Sequence, residues 1–544
     1  MLDTKTLETL YETHCKSGFT YAYGTAGFRY KADVLDTVMF TTGVLAGLRS
    51  IYLEGRTVGV MITASHNPPE DNGVKIVDPK GEMLEQSWES YATDLANSAT
   101  QSFTAFLAYL QNLVSELGLD TDALGSLAVA RDSRESGPRL LHALLNGSRV
   151  LPNIRITDYG LLTTPQLHFL TSKRNELPND TAIDRFFYYK EFLSAWDDIT
   201  ALCGIQSLPY KLEIDAANGI GAPRVKEMLS THKFFDGVFR VVNDDWETPA
   251  SLNHLCGADY VKTNQRLPYG IQANNDCQRI CCSFDGDADR IVFYFCDSEG
   301  QFRLLDGDKM ATLFAKFFQD ILSSANLQER LSLGVVQTAY ANGSSTHYIE
   351  RVLGIPVTCT PTGVKHLHHE AINYDIGVYF EANGHGTVVF SKKFDEVVNS
   401  GLSNKHQSDS SLQSLEVLSK FANLINQTVG DAISDMMGVL AVLSILKWTP
   451  QKWNQEYTDL PNKLVKVLVP DRTVFKTTNA ERQLLSPLGL QPKINALVAE
   501  YHQARSFVRA SGTEDAVRVY AEASTREEAD SLASRVSQVV EHNG

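Results

Sequence analysis

Four short polar loops hold the side chains best placed for chemistry in this chain. Thr63-Ala64-Ser65-His66-Asn67-Pro68-Pro69 follows an apolar run and ends on a proline pair, which holds a serine hydroxyl still where a strand stops. Ser65 is the candidate nucleophile, with His66 beside it. A Ser-His dipeptide alone is equally a turn, because neighbours along a strand point to opposite faces. Lys75, ten residues on, reads either as a charge or acid-base group reaching back or as a solvated lysine. Asp285, Asp287 and Asp289 alternate in Asp285-Gly286-Asp287-Ala288-Asp289-Arg290. On an extended backbone they would share one side and collect a hard cation such as Mg2+. An EF-hand is excluded, since its Gly and Glu positions are Arg290 and Cys296 here. Three anions directly before the apolar run Ile291 to Phe295 are costly without a counter-ion, which favours a metal over a solvated turn. Asp306 and Asp308 lack a third member and read as a helix start.

Glu381-Ala382-Asn383-Gly384-His385-Gly386 offers an acceptor, an amide and an imidazole, a set suited to the vicinal hydroxyls of a sugar. The same Asn-Gly before Val388-Val389-Phe390 also reads as a plain hairpin turn. Thr362, Gly363 and Lys365 are near enough in sequence to orient a ligand. Arg509-Ala510-Ser511-Gly512-Thr513-Glu514, followed by Arg518, joins forked cations to hydroxyls and glycine-exposed amides, the ingredients of a phosphate cradle. No Walker pattern accompanies it, so nucleoside triphosphate hydrolysis is not implied. A weaker loop of the same sort, Gly24-Thr25-Ala26-Gly27-Phe28-Arg29, adds Arg29 as positive charge.

These loops need strands to carry them. Short apolar runs at Val58 to Ile62, Leu127 to Ala130, Leu212 to Ile214, Val335 to Gln337 and Ile376 to Phe380 alternate with helical stretches, the pattern of α/β layers. Three of the loops follow such runs directly, as if similar units presented different loops. In open α/β sheets ligands gather beyond the carboxyl ends of strands, so the expectation is one shared cleft. Polar stretches at 171–184, 297–301 and 400–411 read as hinges or surface loops, with a further break near Thr449 to Asn454.

Composition bounds the rest. The 544 residues suggest three or four domains, and 43% apolar with 21% charged residues describes a folded globular chain. The net charge of −16 repels nucleic-acid backbone and anionic membrane, so neither is an expected partner, and an anionic substrate needs local cations. The N-terminus is broken by charge and lacks a signal-peptide apolar run, while Met436 to Leu446 is too short to span a bilayer and reads as a buried helix. Cys277, Cys281, Cys282 and Cys296 lack paired zinc spacing and read as reduced thiols of a cytoplasmic protein.

TASHNP, DGDADR, EANGHG and RASGTEDAVRVY, in this order, resemble the α-D-phosphohexomutases over nearly the whole chain. The resemblance implies an α/β fold of four domains around a central cleft. Three would be α/β domains with mixed sheets, and the last a smaller C-terminal α+β domain. Their expected bounds are 1–182, 183–299, 300–452 and 453–544. Asn383, the early serine loop and the Thr360 to Lys365 segment TPTGVK favour the branch that interconverts N-acetylglucosamine 6-phosphate and N-acetylglucosamine 1-phosphate, which supplies UDP-N-acetylglucosamine biosynthesis. Glucose and mannose phosphomutases are the alternative within the family, and a non-catalytic sugar-phosphate binder of the same fold is the alternative outside it.

The resemblance further implies that Ser65 is a phosphoserine and that Asp285, Asp287 and Asp289 hold Mg2+ against it. The phosphoryl group would pass to the sugar, and a sugar bisphosphate would turn end over end before returning one phosphate. Arg509, Ser511, Gly512, Thr513 and Arg518 would hold the non-reacting phosphate, while Glu381, Asn383 and His385 grip hydroxyls. Arg29, His66, Lys75 and Arg290 would screen charge or relay protons. Amino-sugar phosphates are the expected small-molecule partners; the sequence leaves the oligomeric state open, with a monomer compatible.

Overall fold

The computed structural model describes residues 4–24, 26–178, 181–273, 279–404, 408–511 and 515–542. The chain divides into two compact units, Met1–Leu304 with Lys420–Ile445 and Leu305–Ser419 with Leu446–Gly544.

The first unit carries two mixed sheets. One is built from β1 (Phe28–Lys31), β2 (Thr57–Ile62), β3 (Asp71–Val77), β4 (Gly125–Arg131) and β5 (Ile154–Leu161), ordered β1-β3-β2-β4-β5. The other uses β6 (Lys211–Asp215), β7 (Phe239–Val242), β8 (Arg279–Phe284), β9 (Ile291–Cys296) and β10 (Phe302–Leu305), ordered β10-β9-β8-β6-β7. The second unit repeats the scheme with β11 (Leu333–Thr338), β12 (Val357–Thr360), β13 (Ile376–Phe380) and β14 (Gly386–Phe390), ordered β12-β11-β13-β14. It then adds an antiparallel sheet of β15 (Asn462–Leu468), β18 (Arg505–Ala510) and β19 (Ala516–Glu522), and a hairpin of β16 (Lys476–Thr478) with β17 (Gln483–Ser486).

A common plan underlies the three mixed sheets. β2 lies between parallel β4 and antiparallel β3, β8 between parallel β6 and antiparallel β9, and β13 between parallel β11 and antiparallel β14. In every case the strand runs into its antiparallel neighbour through a polar loop. These strands are almost wholly buried and read as continuous apolar runs, as central strands covered on both faces must. The repeated presentation of loops expected from the sequence is this shared hairpin.

Helices cover the sheets with their apolar faces. Asp36–Tyr52 is buried along all but its last residue and anchors a large apolar cluster, with Val58, Val60 and Ile62 of β2. Asp306 accepts from the Asp308 and Lys309 amides at the head of Gly307–Ser324, so the Asp306/Asp308 pair is the helix start its sequence suggested. Ala432–Leu446 is the buried helix expected near Met436, and the Ala432 amide donates to the Ala288 carbonyl.

Two of the stretches read as hinges or surface loops are ordered structure. Residues 171–176 belong to the helix Thr164–Glu176, started by a Thr163/Gln166 capping box. Residues 297–301 form the turn between neighbouring β9 and β10, where Gly300 and Gln301 pair with Asp297. Polar composition there marks a helix end and a tight surface turn. Among the described residues no helix is long and apolar enough to cross a membrane.

Candidate active site

Ser65 sits just beyond β2, in a turn with its own φ at 51°. A left-handed conformation at a non-glycine residue costs on the order of 1 kcal/mol and persists only where the surroundings enforce it. Arg134 does much of that enforcing. Its guanidinium donates to the carbonyls of Pro68 at 2.6 Å, Asp71 at 2.7 Å, Ser65 at 2.9 Å and Asn67 at 2.8 Å, and its Nε pairs with Asp132 at 3.2 Å. Asn253 adds bonds to the Ser65 and Asn67 carbonyls at 3.0 and 3.3 Å. The serine loop is thus clamped through its backbone, and the hydroxyl is left to its chemistry.

That hydroxyl donates to Asp285 Oδ2 at 2.6 Å. The carboxylates of Asp285, Asp287 and Asp289 are buried, and one oxygen from each lies within 4.8 Å of the others. They do not meet on an extended strand, as the alternating sequence suggested. β8 ends at Phe284, residues 286–289 curl into a turn with Ala288 at φ 57°, and the Asp289 and Arg290 amides donate back to Asp285 Oδ1. Gly286 is required where this turn meets the serine loop, since a Cβ there would lie 2.5 Å from the Ser65 carbonyl oxygen.

The charges around the cluster do not balance. Lys75 Nζ lies 3.2 Å from Asp289 and 3.8 Å from Asp287, and Arg290 Nε lies 3.9 Å from both Asp285 and Asp289. Lys75 is therefore buried and paired, which removes the solvated-lysine reading. Asp287 Oδ2 accepts from Thr164 at 2.6 Å and Thr63 at 3.1 Å, whereas its buried Oδ1 has no hydrogen-bond partner among the described residues. Burial, then the neighbouring Asp289 and Asp287 carboxylates, push Asp285 well above the usual range. Three hard oxygen donors, one orphaned oxygen and excess negative charge fit a divalent cation such as Mg2+.

His66 Nδ1 stands 3.4 Å from Ser65 Oγ, and its Nε2 stands 3.6 Å from Asp259, which Arg290 also holds at 3.0 Å. Burial, then Arg290, push the imidazole down to about 3, so it is neutral near pH 7. Arg29 reaches Asn67 of the serine loop at 3.4 Å, and burial and Arg290 lower its guanidinium from the ordinary value. Ser65, His66, Lys75, Arg29, Arg290 and the three aspartates are thus brought together within the first unit.

The sugar-type loop and the phosphate-type loop belong to the second unit. Glu381 Oε1 accepts from the Gly363 amide at 3.3 Å and its Oε2 accepts from Asn383 at 3.2 Å, while the His385 amide donates to Asn383 Oδ1 at 3.0 Å. The hairpin turn between β13 and β14 and the candidate site are therefore one object. Lys365 is buried in the first turn of the helix Val364–Ala371. Arg509 and Arg518 are cross-strand partners on β18 and β19, so both cations stand on one face, and Ser511 begins the loop between those strands with its amide donating to Ala516 at 2.8 Å. Gly512 and Thr513 lie outside the described residues.

Four family profiles match along the chain. Phosphoacetylglucosamine mutase AMG1 domain II covers residues 178–292 and domain III residues 306–448. Phosphoglucomutase/phosphomannomutase α/β/α domain I covers residues 30–103 and the C-terminal domain residues 464–539. The phosphoacetylglucosamine mutase of Candida albicans is 52% identical over 98% of this chain and 99% of its own. The Homo sapiens enzyme of that name is 48% identical over 97% and 95%. The chain belongs to the phosphoacetylglucosamine mutase family of the α-D-phosphohexomutases. A crystal structure of an N-acetylglucosamine-phosphate mutase in its substrate complex superposes with a TM-score of 0.94 at 52% identity, covering 99% of this chain and 100% of that one. The Aspergillus fumigatus N-acetylphosphoglucosamine mutase in complex with GlcNAc-6P and magnesium gives 0.93 at 47% identity, with full coverage of both chains.

Within this phosphoacetylglucosamine mutase fold, several working residues escaped the sequence reading. Arg134, Thr63, Asp132 and Thr164 brace the serine and aspartate loops, Asp259 joins His66 to Arg290, and Glu481 contacts Arg509. Arg131-Asp132-Ser133-Arg134 directly after an apolar strand was the available signal for Arg134. Glu481 carries none.

Proposed function

We propose that this chain interconverts N-acetylglucosamine 6-phosphate and N-acetylglucosamine 1-phosphate, with Ser65 as the phosphoryl carrier. The observation that carries the proposal is the Ser65 hydroxyl held 2.6 Å from Asp285 within the three-carboxylate cluster. In the working enzyme Ser65 bears a phosphoryl group and gives it to the free sugar hydroxyl. The resulting bisphosphate turns over and returns its other phosphate to Ser65, so no phosphate is consumed. Mg2+ bound by Asp285, Asp287 and Asp289 supplies electrophilic charge for the transferring phosphoryl oxygens.

Phosphoryl transfer is mostly positioning and charge stabilisation, which fits the residues around Ser65. Arg134 fixes the nucleophile's backbone. Lys75, Arg290 and Arg29 offset phosphoryl charge, and neutral His66 sits within reach of the Ser65 oxygen as a proton carrier. Arg509, Ser511, Gly512, Thr513 and Arg518 grip the non-reacting phosphate; Glu381, Asn383 and His385, oriented by Thr362, Gly363 and Lys365, bind the sugar. We assign these roles to functional domains bounded at 1–182, 183–299, 300–452 and 453–544. The enzyme works on small amino-sugar phosphates in the cytoplasm; the described cysteines carry free thiols, in keeping with a reducing compartment.

The test compares kcat/KM for N-acetylglucosamine 6-phosphate and glucose 6-phosphate while following free phosphate. A preference for the acetylated sugar of at least roughly tenfold is expected, without stoichiometric phosphate release. Preference for the plain sugar, or one phosphate freed per turnover, overturns the reading.

A further inference from the structure

Arg509 has a carboxylate partner already. Its Nε donates to Glu481 Oε1 at 2.7 Å, while Glu481 Oε2 accepts from the Thr362 amide at 2.9 Å and from the Thr362 hydroxyl. One carboxylate therefore joins the phosphate-type hairpin to the loop beside the sugar-type residues. The pair is neither sealed nor fully wet, with side-chain exposures of 27% for Arg509 and 16% for Glu481. Glu481 is held there at a cost, because the turn between β16 and β17 runs through three successive left-handed residues, Asn479, Ala480 and Glu481, at φ 52°, 52° and 66°. None is glycine, and strain of this kind clusters at sites that switch or clamp.

Nearby Arg505 forms a contrasting pair. It binds both oxygens of Glu522, which is 1% exposed, and also donates to the Ala339 carbonyl. The two guanidiniums are similarly exposed, 32% for Arg505 against 27% for Arg509, so the contrast lies in the carboxylates: Glu522 is sealed in place, whereas Glu481 is partly open and able to change partner.

We propose that Glu481 is an exchange anion for the phosphate grip. It takes up Arg509 each time a phosphate leaves and gives it back when a phosphate arrives. The proposal rests on the mutase reading, since only a bisphosphate that must let go half-way through the cycle needs a grip that releases. Without a substitute anion, release would strand a half-buried guanidinium, and that cost would hold the intermediate in one orientation. With Glu481 in place one ion pair replaces another, so binding is weaker but turning is faster. Thr362 keeps the carboxylate from swinging away while a phosphate occupies the arginine.

Glu481→Gln keeps the size and an acceptor for Thr362 but removes the competing charge. Isothermal titration of full-length enzyme with inorganic phosphate should then show binding about fivefold tighter than wild type, the scale of a partly exposed ion pair. In turnover, kcat and KM for the sugar phosphate should fall together, leaving kcat/KM within roughly threefold. A raised KM at unchanged kcat would make Glu481 a fixed support for Arg509 and overturn the proposal, as would unaltered phosphate affinity. Glu481→Ala, checked for folding by its melting curve, must move phosphate affinity the same way. The titration needs no turnover, so its failure is distinct from failure of the mutase reading, which wild-type turnover tests.

Discussion

In the first unit, Asp285, Asp287 and Asp289 are shut away with Lys75 and Arg290 as nearby cations. In the second, Arg509 stands partly in solvent against Glu481. The first arrangement is costly until a divalent cation enters, because buried like charges have little solvent to screen them. The second is nearly neutral at all times and weak by design, since a partly exposed pair exchanges one anion for another at small cost. Phosphoryl transfer demands fixed charge at one place, and a substrate that must bind both ways round demands reversible charge at another. In the proposed cycle the two regions divide that labour.

The largest test of this contrast is Asp287→Asn. Removing one buried anion should raise the melting temperature of the metal-free protein by relieving repulsion. It should also abolish the further stabilisation by Mg2+ and lower kcat by roughly a thousandfold. A variant that still gains stability from Mg2+ would show that the cluster is not the metal site. Arg518→Ala should instead raise KM for the sugar phosphate by roughly ten- to a hundredfold, as expected for a lost charge-assisted bond, with kcat changed little and the Mg2+ response intact. Steady-state kinetics against Mg2+ concentration would separate the two. An Arg518→Ala enzyme that loses its Mg2+ response would dissolve the distinction.

A smaller effect should appear in the second unit as pH falls. His368 lies buried beside Tyr379 of β13, at 3.0 Å from its hydroxyl, and burial followed by the neighbouring His369 pushes it down to about 4. The unfolded chain, with its imidazole near 6.5, binds more protons between these values, so stability is fully present above about pH 6.5 and is lost as pH falls toward 4. Between pH 6 and pH 5 the loss is about 1 kcal/mol. Calorimetric melts at those two pH values should show wild type losing that much more than His368→Gln. Equal losses would mean the imidazole is already charged in the fold.

What the sequence made legible follows from how each residue works. Ser65 and the three aspartates stand out because their side chains are of types that do chemistry and because apolar strands carry them to one place. The route was misread for the aspartates: alternation suggested a strand, but a turn through left-handed Ala288 brings them together. Arg134 stayed hidden because it acts on backbone carbonyls, which every residue has. Glu481 stayed hidden for a different reason, since its partners Thr362 and Arg509 are 119 and 28 positions away and its hairpin has no unusual composition. The polar stretch from Thr171 looked like a hinge or a surface loop, yet its first half is a capped helix whose start lies upstream at Thr163. Side-chain chemistry at strand ends could be read from the chain, whereas support through backbone and long-range pairing needed the fold.

The central claim is that Ser65 carries the phosphoryl group between cycles and hands it to the sugar within each one. Enzyme carrying a radiolabelled phosphoryl group on Ser65 would be mixed with unlabelled N-acetylglucosamine 6-phosphate and quenched within a single turnover. The account predicts that label leaves the protein and appears in a sugar bisphosphate and then in sugar monophosphate, with no more than a trace as free phosphate. Label that stays on Ser65 while product forms at the normal rate would contradict it.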